Sequence, residues 1–139
     1  MDNLWHDADS KSFEHSDLAM RVYSSRLLGQ SDDLVLHGGG NTSVKSSATN
    51  IFGEEEQILY VKGSGWDLKT IEEEGFSPAR LATLQRLASL KSMTDTEMTR
   101  ELKASMTDPG APSPSVEAIL HAIIPFKYVD HTHTDAVVA

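Results

Sequence analysis

Two histidines near the end of the sequence, His131 and His133, have the residue type and the spacing of metal ligands. They lie in YVDHTHTDAVVA, a stretch that predicts a strand running into a helix. Residues two apart on a strand point to the same face, and imidazole is a common zinc ligand. The pair therefore predicts a metal site, although a catalytic zinc usually takes three protein ligands. The flanking Asp130 and Asp135 would either orient the imidazole rings or simply mark a strand edge and a helix cap.

A carboxylate that could move a proton, Glu117, precedes these histidines in the helical pattern SVEAILHAII. His121 follows one turn later on the same face of that helix. A positioned glutamate can act as a general acid or base. A glutamate in the first turn of a helix is also favoured by the helix dipole alone. The spacing leaves both interpretations of Glu117 open.

Two loops of small residues, LHGGGNTSVK at 36–45 and YVKGSGWDL at 60–68, each follow a strand pattern. Glycine lets the backbone approach a ligand closely, and successive backbone amides can form a nest for an anion. Asn41, Thr42 and Ser43 would add side-chain donors to the first loop. Each loop alone is also consistent with a plain turn. Neither is a Walker loop or a GxGxxG motif, so nucleotide binding is not indicated.

The composition restricts the classes of function. The chain has 139 residues, enough for one domain, and 12 Lys+Arg against 21 Asp+Glu give a net charge of −9. That charge argues against a nucleic-acid partner but allows one small anionic ligand. The absence of cysteine excludes disulfides, zinc–thiolate sites and thiol nucleophiles. The acidic N-terminus is unlike a targeting peptide, and no apolar run is long enough to span a bilayer, so we expect a cytoplasmic protein without a membrane partner.

The hydrophobic periodicity predicts the elements that would position these motifs. It favours a central sheet between helices, in an α/β or α+β domain. The expected elements are a helix at 13–28 stopped by Gly29, a strand at 34–36, a strand beginning at 42–45, a hairpin of 51–52 and 58–62, a helix capped by Ser77-Pro78, a surface loop with one helical turn at 92–114, a helix at 116–124, a strand at 126–133, and a helix start at Thr134 or Asp135.

Taken together, the motifs resemble the class II aldolase/adducin family. GGGNTS is similar to that family's glycine-asparagine-x-serine loop, KGSG to its second phosphate loop, and PSVE and HTH to its Pro-Ser-x-Glu and His-x-His signatures. Order and spacing match over residues 13–139, with residues 1–12 as a polar lead-in. The longer wording is most similar to the branch in which a rhamnulose-1-phosphate aldolase is fused to a short-chain alcohol dehydrogenase.

The resemblance implies an α/β fold of three α-β-α layers, with a mixed or antiparallel central sheet. It also implies a site that cleaves a ketose 1-phosphate to dihydroxyacetone phosphate and an aldehyde. His131 and His133 would bind Zn²⁺ with a third histidine beyond residue 139, and Glu117 would be the acid/base at carbon. Val116 departs from the family, which often has a second serine there. The residues implied for the phosphate are Gly40, Asn41, Ser64, Gly65 and Ser115.

Because the chain stops in the first turn of a predicted helix, we expect a truncated domain that is inactive and binds zinc weakly by itself. The resemblance further implies a homo-oligomer, a tetramer in many members. Two alternatives remain open: an epimerase or dehydratase acting on a sugar phosphate with the same scaffold, and a non-catalytic, adducin-like interaction domain. Product analysis separates the first alternative from an aldolase, and loss of the metal ligands would mark the second. The sequence does not identify the sugar.

Overall fold

A computed structural model of the chain describes residues 16–30 and 40–132. In that part it contains four α-helices, four β-strands and two short 3₁₀ segments. The elements are α1 (Asp17–Gly29), β1 (Asn41–Thr49), β2 (Glu55–Lys62), 3₁₀ turns at Leu68–Thr70 and Glu73–Gly75, β3 (Phe76–Arg80), α2 (Leu81–Ala88), α3 (Asp95–Ala104), α4 (Glu117–Ile123) and β4 (Tyr128–His131).

The four strands form one sheet in the order β3-β2-β1-β4, and each neighbouring pair is antiparallel. The pairing places Leu59 of β2 beside Ala79 of β3, and Asn41 of β1 beside His131 of β4. Side chains alternate between the two faces along each strand. The paired residues therefore share a face, and the functional motifs of β1 and β4 meet at one end of the sheet.

Helices cover both faces of this sheet. On one face α2, α3 and α4 enclose a core that includes Leu59, Ala79 and Leu84. On the other face α1 and the 3₁₀ turns pack Val22 and Ile71 against the strands. The predicted three-layer α-β-α architecture with an antiparallel sheet is confirmed.

Helix α1 begins where Ser16 caps it, since the Ser16 hydroxyl oxygen accepts a hydrogen bond from the backbone N–H of Ala19 at 3.0 Å. It ends at Gly29, as the sequence predicts. A Cβ on Gly29 would lie 2.3 Å from the backbone nitrogen of Lys69, so this position has no room for a side chain. The glycine thus lets α1 pass directly over the first 3₁₀ turn. The predicted first residues of this helix, 13–15, lie outside the described residues.

The predicted hairpin is wrong in its first strand. Residues 50–54 form the turn between β1 and β2, so Ile51 and Phe52 are exposed turn residues instead of strand residues. The Oδ1 of Asn50 accepts hydrogen bonds from the N–H groups of Phe52 and Glu54, both at 2.9 Å, and Gly53 has a φ of 80°. The Asn side chain and the glycine thus close a turn that outweighs the strand propensity of Ile-Phe.

Two further predictions about the middle of the chain are wrong. Ser77 and Pro78 do not cap a helix; they lie in β3 and pair with β2. Proline is tolerated there because β3 is an edge strand. The expected loop at 92–114 contains α3, a ten-residue helix with a capping box between Thr94 and Glu97. The motif Thr-x-x-Glu that signals such a start was present in the sequence.

The C-terminal elements agree more closely with prediction. Helix α4 falls within 116–124 and ends before Pro125, and β4 occupies the middle of the expected strand at 126–133. The expected strand at 34–36, the helix start at Thr134 or Asp135, and His133 lie outside the described residues. Among the helices that are described, none has the length and apolar character needed to cross a membrane.

Candidate active site

The candidate site lies where α4 crosses the paired ends of β1 and β4. Asn41 and His131 are register partners, so their side chains share one face of the sheet. Helix α4 packs over that face through Ala118 and Ala122, which belong to the larger core. The Glu117 side chain, four residues before His121, is thereby placed over the strand ends.

Four hydrogen bonds connect the polar side chains in this corner. The Ser43 hydroxyl lies 2.6 Å from Nδ1 of His121. Nε2 of His121 contacts Oδ1 of Asn41, and Nδ2 of Asn41 donates to Oε2 of Glu117. Nδ1 of His131 lies 2.9 Å from the same Oε2. The carboxylate of Glu117 is therefore held between one donor from β1 and one from β4.

The surroundings determine the charge of the two titratable groups on α4. Burial lowers the pKa of His121 to about 4; Glu117 and Asp130 favour its charged form, while His131 and Lys45 disfavour it. For Glu117, burial by itself raises the pKa, but the hydrogen bonds from Asn41 and His131 outweigh burial and the net pKa is lowered. At neutral pH the corner thus contains a neutral His121 and an ionised Glu117.

The Glu117 carboxylate also lines a cavity of about 300 Å³. This volume is at the lower end of the range that small-molecule sites occupy. Gly40 borders the cavity with a φ of 74°, a conformation that favours glycine. The cavity is lined by Gly40, Asn41, Lys62, Gly63, Ser64, Ser115, Val116 and Glu117.

Most of the residues predicted to bind a phosphate line this cavity, but not all of their polar groups are directed toward it. The backbone N–H of Ser64 donates to the Ser113 carbonyl at 3.1 Å, so the exposed side chain of Ser64 is the group that faces outward. The Ser115 hydroxyl oxygen accepts from the N–H of Glu117 at 3.2 Å, and its own O–H can still donate. Gly65, with a φ of 91°, does not line the cavity.

Two residues that we expected to bind the anion face elsewhere. Ser43 is fully buried against His121, and Thr42 is fully buried on the opposite face, where its hydroxyl lies 2.7 Å from that of Ser25. Their side chains alternate because they are neighbours on β1. The prediction that Thr42 and Ser43 contribute side-chain donors to the anion nest is therefore wrong.

Lys62 provides a positive charge in the cavity wall. Its side chain is buried, and burial lowers its pKa while Asp67 and Glu117 raise it. Lys45 has a different place, since its Nζ donates to the Ile124 carbonyl at 2.8 Å and holds the chain that follows α4. Of these two lysines, only Lys62 lines the cavity.

His131 has the chemistry of a metal ligand. A carboxylate can only accept a hydrogen bond, so Nδ1 of His131 donates to Glu117. A carboxylate that orients the ring is a common partner of metal-binding histidines, so this contact is compatible with the predicted metal site. Among the described residues no group of three or more histidine and acidic side chains is arranged to hold an ion. The second predicted ligand, His133, is outside those residues.

Behind the site, Arg21 of α1 fixes β4. Its Nη1 lies 2.7 Å from Asp130 and also donates to the Ser43 carbonyl at 3.3 Å. The guanidinium lies over the Tyr128 ring, 5.4 Å from its centre. Sequence reasoning did not single out Arg21, because its contacts with Asp130 and Ser43 come from distant parts of the chain.

The structure therefore brings together most residues of the predicted site and adds others. Around the corner and its cavity it places these predicted residues: Gly40, Asn41, Ser64, Ser115, Glu117 and His131. Sequence reasoning left His121 and Arg21 without a role, and it assigned Ser43 to the anion instead of to His121. The i, i+4 spacing from Glu117 was the signal that could have assigned His121 to this site.

Comparisons with known proteins agree on one family. Residues 21–139 match the model of the class II aldolase and adducin N-terminal domain. A protein of Bacillus subtilis (strain 168) named uncharacterized oxidoreductase YuxG is 42% identical over 118 residues, which are 85% of this chain and 17% of that protein. A structure of the N-terminal class II aldolase domain of a conserved protein from Thermoplasma acidophilum superposes with a TM-score of 0.89 at 44% identity. That match covers 99% of this chain and 62% of the other. The chain thus spans only part of both proteins.

Proposed function

The chain belongs to the class II aldolase and adducin N-terminal domain family, and from this premise we propose that it is part of a metal-dependent aldolase. The proposed reaction cleaves a ketose 1-phosphate, similar to rhamnulose 1-phosphate, into dihydroxyacetone phosphate and an aldehyde. One observation carries the proposal: the ionised carboxylate of Glu117 is held by two donors in the wall of a cavity that also contains Lys62 and two serines.

The phosphate end of the substrate would occupy the cavity. The Ser64 and Ser115 hydroxyls would donate to phosphate oxygens, and Lys62 would supply the positive charge. The positive φ of Gly40 lets the backbone approach the anion. Binding energy from the phosphate, remote from the reacting carbon, would hold that carbon beside Glu117.

Glu117 would move the proton at the reacting carbon. In the direction of carbon–carbon bond formation, its carboxylate takes a proton from C3 of dihydroxyacetone phosphate and the electron pair remains on the substrate as an enediolate. In cleavage the same group returns the proton to that carbon. His131, with His133 and a further histidine, would hold the Zn²⁺. Bound Zn²⁺ supplies Lewis-acid stabilisation of the negative charge that develops on the substrate.

The test uses the intact protein, loaded with zinc and incubated with a panel of ketose 1-phosphates. We expect about one zinc per chain, release of dihydroxyacetone phosphate from one panel member, and loss of both zinc and activity in His131→Ala. An epimerase or dehydratase would consume a sugar phosphate without releasing dihydroxyacetone phosphate. Absence of tight zinc together with an unchanged His131→Ala variant would refute the proposal and favour an interaction domain.

The rest of the protein is also part of the proposal. The name of YuxG as an oxidoreductase, and the small share of it that this chain matches, support a fusion to a dehydrogenase domain. A homotetramer, which many members of the family form, and a cytoplasmic location stay predictions. Sedimentation of the intact protein measures the first, and fractionation of cells measures the second.

A further inference from the structure

We propose that His121 is a positioning residue, which fixes the orientation of the Glu117 carboxylate through the side chain of Asn41. This inference rests on the proposed function, because it gives His121 a part in the proton transfer by Glu117. His121 is not part of the cavity lining, and its side chain is hydrogen-bonded to Asn41, which is. Its effect on the reaction would therefore be indirect.

The direction of each hydrogen bond follows from the carboxylate. Because Glu117 can only accept, the amide nitrogen of Asn41 must face it, and Oδ1 of Asn41 must then face His121. An amide oxygen also only accepts, so Nε2 of His121 carries a proton. In a neutral ring Nδ1 is then an acceptor, and the hydroxyl of Ser43 donates to it. The chain of bonds is consistent from Ser43 to Glu117 in a single arrangement.

Burial keeps the ring in this arrangement. His121 is 2% exposed and Ser43 is fully buried, so water does not compete for their hydrogen bonds. Burial also lowers the pKa of His121 to about 4, so the ring stays neutral when Glu117 is ionised. The Asn41 amide can therefore not rotate by half a turn without placing its NH₂ against the Nε2–H of His121. That restriction would keep Nδ2 of Asn41, one of the two donors to Oε2 of Glu117, in place.

The sharpest test compares two amide replacements of the ring. His121→Gln places an amide nitrogen near the position of Nε2 and can still donate to Asn41. His121→Asn is shorter, reaches toward Ser43 and leaves Oδ1 of Asn41 without its donor. A residue that only satisfies Ser43 would instead tolerate the asparagine better than the glutamine. A residue that positions Asn41 would tolerate the glutamine and not the asparagine.

The readout is the exchange of the C3 hydrogen of dihydroxyacetone phosphate with D₂O, catalysed by the intact zinc-loaded protein and followed by proton NMR. This exchange reports the proton step of Glu117 and requires no aldehyde. We expect kcat to fall by on the order of 100-fold in His121→Asn and by less than about tenfold in His121→Gln, with KM within about threefold in both. Equal losses in the two variants would overturn the inference.

Crystal structures of the intact variants provide a readout that is independent of activity. In His121→Asn we expect the Asn41 nitrogen to leave hydrogen-bond distance of the Glu117 carboxylate; if the contact persists, the inference is wrong. Ser25→Ala is the matched control, since it removes a buried hydrogen bond to Thr42 on the opposite face of β1. It should lower the melting temperature and leave the exchange unchanged.

The outcomes also separate this inference from the proposed function. If the wild-type protein exchanges no hydrogen, the aldolase proposal fails, and the two crystal structures still decide whether His121 positions Asn41. If His121→Asn does not fold, His121→Gln carries the test. Its amide nitrogen must lie within hydrogen-bond distance of Oδ1 of Asn41, and a kcat loss near 100-fold in this variant would overturn the inference.

Discussion

Replacing Glu117 with glutamine separates the chemistry of the site from its structure. The two side chains are nearly isosteric, and the change removes the negative charge and the ability to take a proton. In the structure Asn41 and His131 both donate to one oxygen, Oε2. A glutamine can turn its single carbonyl oxygen toward both donors. The variant should therefore keep the arrangement of the corner while losing the base.

The expected magnitudes differ strongly between activity and stability. A positioned general acid or base contributes roughly 10²- to 10⁴-fold, so the exchange of dihydroxyacetone phosphate with D₂O should fall by about that factor. In stability, two charge-assisted hydrogen bonds become neutral ones, a loss of about 1 kcal/mol each. The glutamine also avoids the cost of keeping a charge in a partly buried position. These terms oppose each other, so the free energy of unfolding should change by less than about 1 kcal/mol.

The assay pairs the exchange rate with urea unfolding of the intact protein. Glu97→Gln is the control, because Glu97 is an exposed carboxylate in the capping box of α3 and glutamine can replace it there. This control should alter neither quantity appreciably. Exchange by Glu117→Gln within threefold of the wild-type rate would refute the role of the carboxylate. A large loss of stability would instead refute the claim that a neutral amide fits between Asn41 and His131.

Three other variants or conditions test the remaining parts of the argument. Arg21→Met removes the ion pair with Asp130. Because Asp130 is half-exposed and can be hydrated, we expect the free energy of unfolding in urea to fall by about 2 kcal/mol. An unchanged free energy of unfolding would contradict a stabilising role of this ion pair. The unfolded state binds a proton at His121 below about pH 6.5, and the folded state binds it only below about pH 4. The free energy of unfolding should therefore fall by ~3 kcal/mol as the pH decreases from the first value to the second. The His121→Gln variant should lack this part of the pH dependence. Lys62→Met should raise the Kd for inorganic phosphate about tenfold in calorimetry, while Lys103→Met on exposed α3 should not; equal affinities would remove Lys62 from the anion site.

The parts of the site that the sequence predicts are those with local causes. Glycines at positive φ mark a close approach of the backbone, which Gly40 shows. A glutamate and a proline bracketed α4, and its helical spacing put Glu117 and His121 on one face. The position of Lys62 in the cavity wall and the contact of Arg21 with Asp130 depend on which strands pair, and pairing is not encoded within a short window.

The two errors in strand assignment have different physical causes. Ser77-Pro78 has the composition of a helix start, but pairing of β3 with β2 decides its conformation. Ile51 and Phe52 have strand propensity, but Asn50, three residues before Gly53, closes the turn around them. In each case a local preference is outweighed, once by tertiary hydrogen bonds and once by turn geometry.

The network of the candidate site follows from matched spacings on a helix and a strand. Four residues of an α-helix rise about 6 Å, and two residues of a strand advance about 6.6 Å. Glu117 and His121 are four apart on α4, and Asn41 and Ser43 are two apart on β1. When α4 packs on this face, Ser43 meets His121 and Asn41 reaches both His121 and Glu117. A strand motif Asn-x-Ser and a helix motif Glu-x-x-x-His therefore form one structural unit. The serine of that unit serves the helix and not the anion, which explains why a loop that resembles a phosphate site contributes only part of its side chains to the cavity.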